Sequence, residues 1–128
     1  MYRLLVTYKF DDKKKRDGFY ENVLDDKIDK ISQKEEGCIR YEYELPESDT
    51  ELILHEEWES KEAQQVHMQQ PTIGFLKGYK LRFGAKTIID VLEEDDEPNL
   101  SLEELISQLN ENERNQVKTI VKKMLNNR

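Results

Sequence analysis

The chain has 128 residues, a net charge of -8 and a sequence pI of about 4.9, so it is long enough for one domain with a core and a small appendage. The excess of acid opposes binding to nucleic acid and to anionic membranes. The single cysteine excludes an internal disulfide, no Cys/His cluster has zinc-site spacing, and no stretch reaches the length of a membrane span, so we expect a cytoplasmic protein without a metal.

Residues 2–10 alternate between apolar and mixed side chains, which predicts a first strand. One face of this strand carries Tyr2, Leu4, Val6, Tyr8 and Phe10. Asp11 or Asp12 is expected to cap the helix that follows, which Gly37 ends. The basic run Lys13–Arg16 at its start is expected to be a solvated face. Apolar residues recur along this helix at Tyr20, Val23, Leu24, Ile28 and Ile31.

Two further strands are predicted for residues 38–45 and 51–59, because the pattern returns to a period of two. The intervening segment PESDT has the composition of a turn, so the two strands should form a hairpin. The apolar face of the first carries Ile39, Tyr41, Tyr43 and Leu45. The corresponding face of the second carries Leu52, Leu54, Glu56 and Trp58.

Ser60 is expected to begin a short helix that Pro71 interrupts, so the second helical region should be broken. Ile88, Ile89 and Val91 then predict a fourth strand. The order strand, helix, strand, strand, helix, strand is that of an α+β, ferredoxin-like βαββαβ domain with an antiparallel sheet, here covering residues 1–94.

Residues 95–128 differ in character from the preceding domain. A charged, proline-containing linker, EEDDEPN, leads into a predicted C-terminal αα-hairpin, whose first helix opens on a capping box of Ser101 and Glu104. The hairpin has more apolar surface than two short helices can bury against each other, so it should dock on another surface. Its acidic and basic residues balance, which argues against a nucleic-acid contact.

Three segments in this order resemble the antibiotic biosynthesis monooxygenase (ABM) family: GCIRYEYEL, LHEEWESKEAQQVHMQQP and FLKGY. The resemblance covers residues 1–94 and implies a dimeric α+β barrel, in which homodimers form by sheet packing and each subunit has a pocket between sheet and helices. Family members include cofactor-free monooxygenases of quinols and aromatic polyketides, haem-degrading enzymes and proteins of unknown activity. The fold alone therefore leaves the function open.

The resemblance implies a monooxygenase that acts with O2 on a small aromatic or quinol substrate. A deprotonated hydroquinone can pass an electron to O2 itself, so the protein need supply only a base, orienting donors and a dry cavity. No GxGxxG, P-loop, HExxH or CxxC motif is present, and no cofactor is predicted.

The expected catalytic residues are His67 as the base and Glu56 as the group that orients it. His67 shares a helical face with Ala63 and should point toward the sheet. The alternative is a structural histidine, buried and hydrogen-bonded to a strand or to Glu56. Glu56 likewise should be paired, with His67 or Arg40, because burying an isolated carboxylate is costly.

The expected substrate-binding residues are Trp58, Tyr41, Tyr43, Phe75 and Thr7. Trp58 is either a core anchor or a stacking wall, and the two tyrosines either donate to a substrate or form ordinary cross-strand aromatic pairs. Thr7 is included because haem-degrading relatives carry a pocket Asn at the matching position.

Two departures from the family pattern bear on activity. Ile73 and Gly74 stand where members often have a second histidine, which leaves open a non-catalytic ligand-binding or protein-interaction role. Lys77 stands near the axial histidine position of the haem-degrading branch. Because a protonated lysine is a poor iron ligand, haem degradation is the weaker alternative.

Overall fold

The computed structural model describes residues 1–94 together with Thr119, Ile120, Lys122 and Lys123. The chain divides into two units, Met1–Asp95 and Asp96–Arg128. The four described residues of the second unit are helical and exposed. The rest of the predicted linker and αα-hairpin, including its capping box, lies outside the described residues. Within the described part, no helix is both long enough and apolar enough to cross a membrane.

The first unit is an antiparallel four-stranded sheet with helices against one face. Its elements are β1 (Tyr2–Lys9), α1 (Lys13–Asp25), α2 (Ile28–Gln33), β2 (Cys38–Glu44), β3 (Glu51–Trp58), α3 (Lys61–His67), α4 (Pro71–Phe83) and β4 (Lys86–Glu94). The strand order across the sheet is β2-β3-β1-β4, with every neighbouring pair antiparallel. The predicted ferredoxin-like α+β fold and the β2–β3 hairpin are confirmed.

The core lies between the inner sheet face and the helices, as the alternation in β1 and β3 predicts. Successive residues of a strand point to opposite faces, so every second residue of β1 and of β3 is buried. The buried apolar side chains include Tyr2, Leu4, Val6, Tyr8, Phe19, Val23, Ile28, Tyr41, Leu52, Leu54, Trp58, Ile73 and Leu76. Fully burying one Val, Leu, Ile, Phe or Met side chain contributes about 1.5–3 kcal/mol.

The first helical region is two helices rather than the single one predicted. Asp12 caps α1 by accepting from the Lys15 backbone N–H, and the chain then breaks at Lys27, whose φ of 57° is left-handed. The break turns Ile28 into the core, while Leu24 and Ile31 are 43% and 46% exposed. A single apolar stripe therefore does not continue through both helices.

Arg16 departs from the expected solvated basic run. Lys13, Lys14 and Lys15 are exposed, but Arg16 is 6% exposed and its Nη1 donates to the carbonyls of Ser48 and Glu51. The guanidinium therefore ties α1 to the β2–β3 connection.

Ile39 also departs from the prediction, because it is 50% exposed instead of sharing the buried face of Tyr41. The β2–β3 register shifts between Cys38 and Arg40, which is a bulge at Ile39. A bulge inserts one unpaired residue and so shifts the alternation on one side of it.

The outer sheet face carries Leu5, Thr7, Ile53, His55 and Ile88. Directly paired residues lie on the same face, and Thr7 pairs with both Ile53 and Ile88. In this band, Ile88 is 43% exposed and the other four side chains are partly buried.

Candidate functional site

A cavity of about 80 Å³ lies between the inner sheet face and helices α3 and α4. Its apolar lining consists of Leu4, Val6, Leu54, Met68, Ile73, Leu76 and Ile89. Its polar lining consists of Tyr8, Tyr41, Glu56, Gln64, His67, Lys77, Lys80 and Thr87. An apolar hollow with a few convergent polar groups is the usual form of a small-molecule site.

His67 is the last residue of α3 and faces the cavity. Ser60 caps that helix by accepting from the Ala63 N–H at 3.1 Å, which fixes the helix start and so the side to which His67 points. Its side chain is 2% exposed, and Nδ1 lies 2.5 Å from Oε2 of Glu35. An ionised carboxylate only accepts hydrogen bonds, so Nδ1 carries the proton. Nε2 is then the nitrogen left for a ligand.

Glu35, rather than the expected Glu56, is therefore the carboxylate that holds His67. It lies in the connection between α2 and β2, with its side chain 16% exposed and its second oxygen, Oε1, buried without a partner. Sequence reasoning missed it because KEEG reads as a solvent-exposed charge run. The sequence gives one indication of its position: Glu35 lies shortly before β2, and β2 pairs with β3, the strand that carries Trp58.

Glu56 is held by the indole of Trp58 instead of by His67 or Arg40. Trp58 Nε1 donates to Glu56 Oε1 at 3.1 Å, and Arg40 pairs with Glu42. Burial raises the pKa of the Glu56 carboxyl above its ordinary value, while the indole hydrogen bond and the nearby His67 lower it in part. The expected orienting role of Glu56 is thus corrected, although Glu56 does line the cavity.

Trp58 is a fully buried wall behind the imidazole and does not line the cavity. Its ring centroid lies 4.7 Å from that of His67, with the planes 36° apart. The indole therefore restricts rotation of the imidazole from one side. The two rings are in contact, and the imidazole lines the cavity whereas the indole does not.

Tyr41 is the tyrosine that reaches the cavity. Its ring lies 5.4 Å from the His67 ring, and its buried hydroxyl lies close to the hydroxyls of Tyr43 and Ser32. Burial raises the pKa of the Tyr41 hydroxyl well above its ordinary value, so the group stays protonated and can donate. Tyr43 packs edge-on against Tyr41 at 5.8 Å and against Tyr20 at 5.5 Å, outside the cavity.

Like Trp58 and Tyr43, two other expected substrate-binding residues do not line the cavity. Thr7 lies on the outer face of the sheet, because it has the opposite parity to Val6 and Tyr8. Phe75 is 58% exposed on α4, where Ile73 and Leu76 occupy the inward positions. Neither residue lines the cavity.

Two lysines of α4, which no prediction assigned to substrate binding, also line the cavity. Lys77 is exposed and marks the mouth, while Lys80 is half-buried with Nζ 5.3 Å from the centre of the Tyr8 ring. Burial lowers the pKa of the Lys80 ammonium, and the Glu56 carboxylate opposes that shift. Among the described residues, no three His, Cys, Asp or Glu side chains are grouped so as to hold a metal ion.

Comparisons with known structures give the same fold. A conserved protein of unknown function from Bacteroides thetaiotaomicron VPI-5482, described as a possible oxidoreductase, matches with a TM-score of 0.62 and 22% identity, over 72% of this chain and 95% of that one. A protein from Deinococcus radiodurans, provisionally assigned as an antibiotic biosynthesis monooxygenase, matches with a TM-score of 0.62 and 16% identity, over 79% and 99%.

A conserved protein from Methanosarcina mazei Go1 matches with a TM-score of 0.59 and 22% identity, over 74% of this chain and 95% of that one. No curated protein matches the sequence. The family model for "antibiotic biosynthesis monooxygenase" matches residues 1–74, which is more than half of the chain. With the fold, the cavity and this match together, the chain belongs to the antibiotic biosynthesis monooxygenase family.

Proposed function

We propose that the protein is a cofactor-independent monooxygenase that acts with O2 on a small aromatic or quinol compound in the His67 cavity. The observation that carries the proposal is the pairing of His67 with Glu35 at the edge of an apolar cavity. A buried imidazole held by a carboxylate through Nδ1 presents Nε2 as a base, which is the arrangement that general-base catalysis needs.

The chemistry asks little else of the protein. Nε2 of His67 takes the phenolic proton, and the electron-rich anion then transfers electrons to O2. One oxygen atom bonds to the ring and the other leaves as water, so a hydroquinone and one O2 give a hydroxyquinone and one water. All four electrons that reduce O2 come from the substrate.

Each neighbouring residue has a distinct role in this proposal. Glu35 is a positioning residue, because it fixes the tautomer and orientation of the imidazole. The Tyr41 hydroxyl, which lines the cavity, donates to the substrate oxygen that becomes negative. The indole of Trp58, held by Glu56, keeps the imidazole facing the cavity.

Cavity size limits the substrate. About 80 Å³ is less than the roughly 150 Å³ of a cavity that holds benzene, so a ring enters only if side chains at the mouth move. Met68 and Lys77 are exposed and flexible, which makes that movement inexpensive. A single ring therefore fits this site better than a fused polyketide, and a porphyrin does not fit, which removes support for haem degradation.

Oxygen consumption tests the proposal directly. With a panel of substituted hydroquinones, His67→Ala should lower turnover by about 100-fold to 10,000-fold relative to the unaltered protein. His55→Ala is the matched control, because the chain has two histidines and His55 lies on the outer sheet face. Equal turnover in all three proteins, or in the two variants alone, would contradict the role of His67.

A second candidate is a non-catalytic ligand-binding protein. The observation that favours it is the same small cavity, together with an imidazole packed against both Trp58 and Tyr41. Binding of the panel compounds without oxygen consumption in any variant would support this candidate over the enzyme.

We also propose that two chains associate through their outer sheet faces. The outer face carries the partly buried Leu5, Thr7 and Ile53 beside the exposed Ile88, and covering these apolar side chains is favourable, which supports a face-to-face contact. Sedimentation should give twice the 15.3 kDa chain mass, and Ile53→Lys should give the single chain. Leu81→Lys, which adds the same charge at a position 86% exposed on α4, should leave the dimer intact. A single chain in the unaltered protein would contradict the proposal.

A further inference from the structure

The charged groups of the cavity lining are unbalanced toward positive charge. Lys77 and Lys80 contribute two ammonium groups, whereas Glu56 contributes one carboxyl group. That carboxyl group is 6% exposed and already accepts the indole hydrogen bond of Trp58. This local positive excess is opposite in sign to the net charge of the chain, which is -8.

The two lysines also lack the partners that other lysines have. Lys9, Lys13, Lys15 and Lys61 each form an ion pair with a carboxylate. Within the part of the chain that the structure describes, Lys77 and Lys80 form no ion pair and no hydrogen bond. The Glu56 carboxylate offsets part of the cost of the half-buried Lys80 ammonium without forming an ion pair with it, and an anion in the cavity would offset more.

The position of Lys80 suits an anion at the mouth. Its Nζ lies over the ring of Tyr8, which also lines the cavity, and this cation–π contact holds the ammonium at the cavity edge. Lys77 lies three residues earlier in α4, so the two side chains are neighbours on one helix face. The imidazole of His67 and the hydroxyl of Tyr41 are among the other polar groups of the lining.

We propose that the site selects aromatic compounds that carry a carboxylate, with the carboxylate on Lys80 and Lys77 and the ring in the apolar part of the cavity. This inference rests on the proposed function for the ring hydroxyl at His67, but the anion preference is a binding property that does not require turnover. Placing the carboxylate at the mouth also reduces what the small cavity must enclose. The net negative charge of the chain does not attract anions from a distance, so the preference depends on these two lysines.

Binding without O2 tests the preference. The probes are 2,5-dihydroxybenzoate and its neutral analogue 2,5-dihydroxybenzamide, followed under argon by the fluorescence of Trp58, the single tryptophan, whose ring lies against His67. We expect the benzoate to bind about tenfold more tightly or better, which is the effect of one partly buried charge contact. Equal affinities, or no binding of the benzoate, would overturn the inference.

Variants assign the preference to the lysines. Lys80→Met should weaken benzoate binding about tenfold and benzamide binding much less, and retained binding of the benzamide also shows that the variant is folded. Lys80→Arg should keep the preference because it keeps the charge. Lys77→Met should reduce the preference for benzoate less than Lys80→Met does, since Lys77 is more exposed than Lys80. Lys14→Met, at an exposed position on α1, should match the unaltered protein.

The two proposals fail in different ways. A preference for benzoate that survives in the Lys77→Met, Lys80→Met double variant would overturn the anion site, whatever the turnover. Selective binding of benzoate without oxygen consumption would overturn the monooxygenase and leave the anion site standing. Oxidation of hydroquinones without any preference for the benzoate over the benzamide would overturn the anion site and leave the monooxygenase proposal standing.

Discussion

Removing the carboxylate of Glu35 should destabilise the protein measurably, because His67 depends on it. The imidazole is 2% exposed, so Glu35→Ala leaves its Nδ1–H buried without an acceptor. An unsatisfied buried donor costs about 1–3 kcal/mol. Since the Glu35 side chain is 16% exposed, water can partly replace it, and we expect a loss of about 2 kcal/mol in the free energy of unfolding.

Glu35→Gln separates the hydrogen bond from the charge. The amide oxygen can accept the same Nδ1–H, but a neutral acceptor gives roughly half the strength of an ionised one. We therefore expect a loss of about 1 kcal/mol, between the unaltered protein and Glu35→Ala. Glu36→Ala is the matched control, because this neighbouring carboxylate is exposed and should change stability by less than about 0.5 kcal/mol.

Urea unfolding followed by Trp58 fluorescence measures these differences, at one protein concentration so that any association is constant. With a urea slope of about 2 kcal/mol/M, Glu35→Ala should lower the midpoint by about 1 M. A midpoint for Glu35→Ala that coincides with that of Glu36→Ala would refute the pairing and, with it, the proposed orientation of His67.

Three further changes probe the surroundings of the site. Burial raises the pKa of Glu56 above its unfolded value, so the contribution of this carboxyl group to stability falls as pH rises from the unfolded to the folded pKa. A glutamine does not titrate, so the stability of Glu56→Gln relative to the unaltered protein should be greater at pH 7 than at pH 4, as measured by unfolding. Gly37→Ala should cost about 3 kcal/mol, since φ is +81° and the new Cβ would lie 2.7 Å from the Cβ of Ala63. Adding Ala63→Gly to this variant should recover only the part of the loss in melting temperature that the steric contact causes, because the backbone strain remains. Arg16→Leu should cost about 2–3 kcal/mol in urea unfolding by removing a buried guanidinium from two loop carbonyls, and Lys14→Leu should cost almost nothing. An unshifted curve for any of the three would contradict the corresponding contact.

The sheet could be predicted from the sequence because a strand exposes its two faces to different surroundings. Alternation in residues 2–10 and 51–59 identified the buried residues of β1 and β3 directly. The prediction that Ile39 is buried was wrong because a bulge shifts the alternation, and no characteristic residue type indicates that bulge in the sequence. The prediction that Leu24 and Ile31 share one apolar face was wrong because Lys27 adopts a left-handed backbone conformation that divides the helix, and nothing in the local pattern indicates it.

The candidate site was predictable only where it follows from one element. Helical spacing indicated that His67 faces inward, and strand parity put Glu56 and Trp58 on the same face. The partner of the imidazole was missed because Glu35 is 32 residues away and its placement depends on two helices and a connection. Lys80 was missed for a related reason, since its stem packs inward while its charge suggests solvent.

The contact between His67 and Glu35 has a consequence for how the domain folds. Glu35 belongs to the first half of the βαββαβ repeat and His67 to the second, so their contact joins the two halves. A nascent chain that has completed only its first half contains no aligned base. The His67–Glu35 pair therefore forms only when both halves of the domain have assembled.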